Sequence, residues 1–228
     1  RNGLPGINIP LPLVLGSDAS GVIVDIGKNV EGFSIKDEVI IQPGTFDSDC
    51  AFVNQGKENY SSTYGILGET ENGVQSEFVS LNPINIQHKP EHLTFQEAAS
   101  MQLVFMTAYQ MLVTRAKISN KEDILVYGAT SGVGSAAIQI SKYYGLNVYT
   151  TVGDINKIEY AKRMGADYVF NHSDENWYDD IKENMSGKQF NVIFEHIGLK
   201  TWTNTMKLLG KGGRVVTCGA TTGPKIDI

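Results

Sequence analysis

The chain has 228 residues, of which 41% are hydrophobic and 19% charged, enough apolar material for a packed core and too little charge for wholesale disorder. A net charge of −6 is the wrong sign for a nucleic-acid binder, and the apolar stretch Ile7 to Leu15, broken by Pro10 and Pro12, is too short for a membrane span. The two cysteines, Cys50 and Cys218, exclude a disulfide framework and point to a reducing, cytoplasmic setting.

At roughly 150 residues per domain the length allows one large domain or two smaller ones. The chain opens on Arg1 and closes on Pro224 to Ile228 in what reads like the start of another strand, so a piece of a longer protein is expected. Up to about residue 88 the texture is short β-rich runs, Gly21 to Ile26, Val39 to Gln42, Gln75 to Leu81 and Ile84 to Ile86, separated by Gly, Pro, Asn and Asp. This predicts an irregular, barrel-like β domain over residues 1–93. Thr94 and Glu97 then have capping-box spacing, and an imperfect apolar stripe predicts a helix from 94 to about 115.

From Lys121 onward strands and helices alternate. Ile124 to Tyr127, Asn147 to Val152, Tyr168 to Phe170, Asn191 to Glu195 and Arg214 to Cys218 read as strands. The helices between them start near Val133, Lys157, Asp174 and Thr201. Such alternation predicts an α/β domain over residues 94–228, a doubly wound parallel sheet with helices on both faces.

The sharpest local signal is Gly128-Ala129-Thr130-Ser131-Gly132-Val133-Gly134, set between an apolar strand and an amphipathic helix. Glycines there permit a tight turn and the close approach of a pyrophosphate, which rests on the positive end of the helix. The pattern departs from the commonest G-x-G-x-x-G because position 129 is Ala. At the end of the second strand, Gly153 and Lys157 leave room and positive charge for a 2′-phosphate, whereas Asp154 would repel one if it pointed inward. NADP(H) is therefore expected over NAD(H).

Leu13 to Ile23, Lys36-Asp37-Glu38-Val39, Glu97-Ala98-Ala99, Thr107-Ala108-Tyr109, Gly132-Val133-Gly134, Ala161 to Asp167 and Gly212 to Val216 together resemble the medium-chain dehydrogenase/reductase superfamily. The resemblance implies a GroES-like β-barrel catalytic domain followed by a Rossmann domain, a small-molecule substrate, and copies associating through the nucleotide domain. It also implies that Thr107 touches the nicotinamide end, and Gly132, Val133 and Gly134 the pyrophosphate. Gly153, Lys157 and His172 would surround the adenosine 2′ position. Ile197, Gly198, Cys218, Gly219 and Ala220 would line the crevice at the carboxyl ends of strands.

Zinc-dependent members of that superfamily carry four cysteines at positions that map onto Asp47, Cys50, Val53 and Ser61, where one thiol remains. Their catalytic-zinc Gly-His-Glu reads Gly16-Ser17-Asp18 here, and the later ligand cysteine is Leu103. No zinc site is expected. Without a Lewis acid, hydride delivery to the activated C=C of a quinone, enone or enoyl-CoA is easier to explain than alcohol oxidation. An alcohol dehydrogenase and a non-catalytic nucleotide-binding protein are the rival readings, and no catalytic residue can be named. His88 and His92, four apart across Pro90, read as loop residues, Cys218 as a small buried residue and Tyr109 as core. His196 is divided between lining the crevice and a satisfied loop histidine.

Overall fold

The computed structural model describes residue 9 and residues 11–225. The chain divides into two compact units, one ending at Leu103 and the other starting at Val104. This division falls later than 93/94 because the first helix is tied to the β-rich unit. Ser20 Oγ donates to the Phe95 carbonyl at 2.6 Å, and the Leu103 amide donates to Asp18 Oδ1 at 2.8 Å.

In the first unit β1 (Ser20–Val22), β2 (Glu38–Ile41) and β5 (Ile86–His88) form a three-stranded antiparallel sheet in the order β1-β2-β5. β3 (Gly44–Thr45) and β4 (Gly65–Ile66) form a separate antiparallel ladder. Val39, Ile40 and Ile41 are buried, as an apolar central strand requires. The strand expected over Gln75 to Leu81 is not among the described strands. At its start Val74 donates to the Gly16 carbonyl and Gln75 to that of Leu15, and Ser76 then turns back onto local carbonyls, its amide donating to Val74 and its hydroxyl to Phe78. Phe78 is 67% exposed, since alternation makes a strand only where a neighbouring edge receives it.

The expected helix over 94–115 is three pieces. α1 (Phe95–Ala99) starts in a complete capping box of Thr94 and Glu97. It ends where the Ser100 hydroxyl and amide both take the Glu97 carbonyl, a local bond that competes with helix continuation. α2 (Gln102–Tyr109) follows and widens into a π-helical segment, Gln110–Arg115, closed by the Ala116 amide on the Met111 carbonyl.

The second unit holds five parallel strands, β6 (Asp123–Val126), β7 (Asn147–Val152), β8 (Tyr168–Asn171), β9 (Phe190–Glu195) and β10 (Leu209–Thr217), in the order β10-β9-β6-β7-β8. Helices α3 (Gly132–Tyr143), α4 (Ile158–Arg163), α5 (Trp177–Asn184) and α6 (Leu199–Leu208) connect them. Continuous apolar runs are what a sheet covered on both faces needs, and the side chains sort by parity. Ile124, Val126, Val148 and Val192 enter the core shared with α3. Leu125, Tyr127, Tyr149 and Ile193 enter the core shared with Ile181 of α5 and Leu208 of α6. The strand order reverses between β6 and β9, which opens a crevice beyond their carboxyl ends.

Candidate functional site

Everything that converges on this crevice does so because parallel strands end on one side of the sheet. After β6 the chain turns at Gly128, whose φ of +67° favours glycine. The turn is stitched to the end of β7: the Ala129 amide donates to the Thr151 carbonyl at 2.9 Å and the Gly128 amide to Thr151 Oγ1 at 3.2 Å. Ser131 caps α3, its hydroxyl accepting from the Gly134 amide at 3.0 Å. A Cβ on Gly134 would run into the Gly128 carbonyl oxygen, so α3 can start this close to β6 only with glycine there. Val104, one turn before Thr107 on α2, packs on Gly132.

The ends of β7 and β8 make the second part. A Cβ on Gly153 would lie 3.1 Å from His172 Nε2, and Ser173 Oγ donates to the Gly153 carbonyl at 2.8 Å. Desolvation, with the Lys157 charge adding to it, pulls the His172 imidazole below its ordinary value of 6.5. Asp154, the carboxylate that could oppose a phosphate, accepts from the Asn156 amide at 2.9 Å as the cap of the short turn Ile155–Lys157.

The third part joins the loops after β9 and β10. Glu195 is fully buried, and its carboxylate accepts from the Ile197 and Gly198 amides and from Thr201 Oγ1 at 2.7 Å. These donors stand at the start of α6, where a buried anion is balanced by the orphan amides and the helix dipole. Gly198, with φ +90°, has Gly223 and Ala220 pressed against it. The Thr222 amide and hydroxyl both donate to the Ile197 carbonyl at 2.8 Å, so the two loops form one wall. Cys218 lies in that wall, exposed rather than buried as expected, with its thiol pushed up by desolvation and by the Glu195 carboxylate.

The structure thus gathers Gly132, Val133, Gly134, Gly153, Lys157, His172, Ile197, Gly198, Cys218, Gly219 and Ala220 at the carboxyl side of one sheet, with Thr107 on the adjacent helix. Sequence reasoning missed Ser131 and Thr151. Ser131 carried a legible signal, an N-capping residue directly before a helix, whereas nothing local marks Thr151. His196 is held, with Nε2 2.9 Å from the Tyr127 carbonyl. Tyr109 is 49% exposed rather than core, and His88 closes β5 instead of lying in a loop.

In the first unit, Ser17, Asp18 and Cys50, which the resemblance maps onto metal ligands, have hydrogen-bond partners within the protein. Ser17 Oγ donates to the Leu67 carbonyl at 2.7 Å, and Asp18 receives the Leu103 amide while burial raises its pKa. Around Cys50, Ser61 Oγ lies 2.9 Å from Thr63 Oγ1, the Asp47 amide donates to Thr63 Oγ1, and Phe52 meets Tyr60 edge to face at 5.8 Å. Hydrogen bonds to its sulfur from the Phe52 amide and Ser61 lower the Cys50 pKa.

Residues 2–91 match the model of the alcohol dehydrogenase GroES-like domain, and residues 132–228 that of the zinc-binding dehydrogenase family. The chain is 32% identical to a crotonyl-CoA carboxylase/reductase of Cereibacter sphaeroides, over 92% of this chain and 55% of that protein. It is 30% identical to the quinone oxidoreductase of Homo sapiens, over 92% of this chain and 56% of that one. A crystal structure of an NAD-dependent alcohol dehydrogenase superposes with a TM-score of 0.91 at 39% identity, covering 95% of this chain and 63% of its own. The chain therefore spans a little over half the length of the relatives it matches.

Proposed function

The chain belongs to the medium-chain dehydrogenase/reductase superfamily, and from that membership we propose that it serves an NADP(H)-dependent reductase of activated C=C bonds in quinones, enones or enoyl-CoA thioesters, acting without zinc. The observation that carries the reading is the donor set at the positions the resemblance maps onto metal ligands. Leu103 offers no ligand atom, Ser17 has committed its hydroxyl to a carbonyl, and Asp18 alone does not make a zinc site. The residues present do not fit a catalytic zinc, and no step is routed through one. Among the described residues no helix is long and apolar enough to cross a membrane.

NADPH, when bound, supplies the hydride. In this reading the amides of Gly132 and Val133 hold the pyrophosphate on the positive end of α3, and Gly134, whose own amide goes to the capping Ser131, keeps the turn close enough to receive it. Lys157 supplies charge to the 2′-phosphate in the space left by Gly153, beside His172. Thr107 orients the nicotinamide end. Ile197, Gly198, Cys218, Gly219 and Ala220 form the wall that excludes water along it. Positioning and hydrogen bonding to the developing enolate oxygen do the work that a metal does in alcohol oxidation. Association of two copies through the nucleotide domain belongs to the same reading and is checked by sedimentation.

The test is elemental analysis beside coenzyme-dependent turnover. We expect zinc well below one per chain and NADPH-dependent reduction of crotonyl-CoA or a naphthoquinone. Stoichiometric zinc, with primary-alcohol oxidation abolished by a chelator, would instead establish the alcohol dehydrogenase reading, which the 39% identical alcohol dehydrogenase structure favours. Coenzyme binding without turnover on any of these substrates would leave a nucleotide-binding protein.

A further inference from the structure

We propose that His196 is a positioning residue that braces the glycine turn and leaves the Ser131 hydroxyl free to donate to the coenzyme pyrophosphate, a reading that rests on dinucleotide binding at this turn. His196 directly follows β9, across the switch point from the turn. Its imidazole lies against Gly128, so that a Cβ there would meet the ring at 3.2 Å. Its Nε2 is 2.9 Å from the Tyr127 carbonyl and 3.3 Å from Ser131 Oγ. Its own carbonyl accepts from Thr221 Oγ1 at 3.0 Å. One residue therefore joins the segments that follow β6, β9 and β10.

The geometry also fixes where the protons are. A carbonyl can only accept, so the 2.9 Å contact places the hydrogen on Nε2. In the other tautomer an imidazole lone pair would face a carbonyl lone pair at that distance. With Nε2 as donor, Ser131 Oγ cannot give its proton to the ring. It already accepts from the Gly134 amide at 3.0 Å, and the longer Nε2 contact approaches it from the donor side as well. The Ser131 O–H is left unspent at the mouth of α3, where an anionic oxygen would receive it together with the backbone amides. In the opposite tautomer the same hydroxyl would be consumed inside the protein.

The experiment pairs one spectrum with two variants. In the protein without coenzyme, the imidazole nitrogen-15 shifts of His196 should report protonation at Nε2. His196→Phe fills the ring's place without a donor, and His196→Gln returns an N–H near the Nε2 position. By loosening the turn that presents the Ser131 hydroxyl and the backbone amides, the Phe variant should bind NADPH about tenfold more weakly, with Gln within about threefold of the parent. Binding of 2′-adenosine monophosphate, which lacks the pyrophosphate, should be unchanged in both.

An Nδ1-protonated His196 overturns the proposal, as does a Phe variant that binds NADPH like the parent or loses both ligands in proportion. If the Phe variant does not fold, the spectrum of the parent and the Gln variant still decide. A parent that binds neither NADPH nor NADH overturns the functional reading itself, and this one with it. A parent that binds while the variants make no difference overturns this one alone.

Discussion

Gly134 is the residue on which the turn depends most directly. A Cβ there meets a backbone carbonyl, which cannot swing aside as a side chain can. Gly134→Ala is expected to destabilise by about 1–3 kcal/mol, as overpacking does, and to weaken NADPH more than that loss explains; urea unfolding beside fluorescence titration checks both. Lys157 has a second, separable consequence. Its charge adds to desolvation in lowering the His172 pKa, so the folded protein binds that proton less readily than the unfolded chain. Stability from this source is complete above the ordinary value of 6.5 and is lost as pH falls from there through the lower, folded value. Lys157→Ala should move the His172 titration midpoint up towards 6.5, as read by NMR, and should weaken NADPH while sparing NADH. Gly153 and Lys157, proposed for the 2′-phosphate, were legible as residues because they stand close together in sequence. The use of Asp154 as a cap was not, since a carboxylate's direction depends on the amide it finds.

At the level of elements, buried acceptors at strand and helix ends decide which loops are rigid. Glu195 ends β9 and receives two amides and a hydroxyl from the start of α6. Glu195→Gln turns one acceptor into a donor facing donors, and is expected to cost about 1–3 kcal/mol, measurable as a lower urea midpoint, and to loosen the 196–201 wall in hydrogen exchange. Arg214 plays a comparable part on β10. It pairs with both oxygens of Glu122 at 2.8 Å and donates to the Ala116 carbonyl at the end of the π-helical segment. Because the pair is partly exposed, Arg214→Ala should cost no more than about 1–2 kcal/mol. The π segment was not legible: the apolar residues of 104–112 are compatible with an α-helix, and a one-residue widening leaves no mark in their spacing.

For the whole molecule, coenzyme should change stability and metal removal should not. A ligand that binds the folded state alone at a hundred times its dissociation constant adds about 2.7 kcal/mol. NADPH at that excess should raise the thermal midpoint more than NADH at the same concentration, and a zinc chelator should leave it unmoved. A fall on chelation would restore metal to the first unit. The sequence by itself determined the second unit almost completely, because its strands are buried on both faces and read as apolar runs, and because the glycine turn is written in consecutive residues. It also put a valine and a leucine, which cannot coordinate a metal in any fold, at Val53 and Leu103, positions the resemblance maps onto zinc ligands. Only the tertiary structure decided that Gln75 to Leu81 is not a described strand, that Asp18 holds the Leu103 amide, and that His196 reaches the turn after another strand. Each of these depends on a hydrogen-bonding partner far away in the chain, or on its absence, and chain periodicity carries no information about partners at that distance.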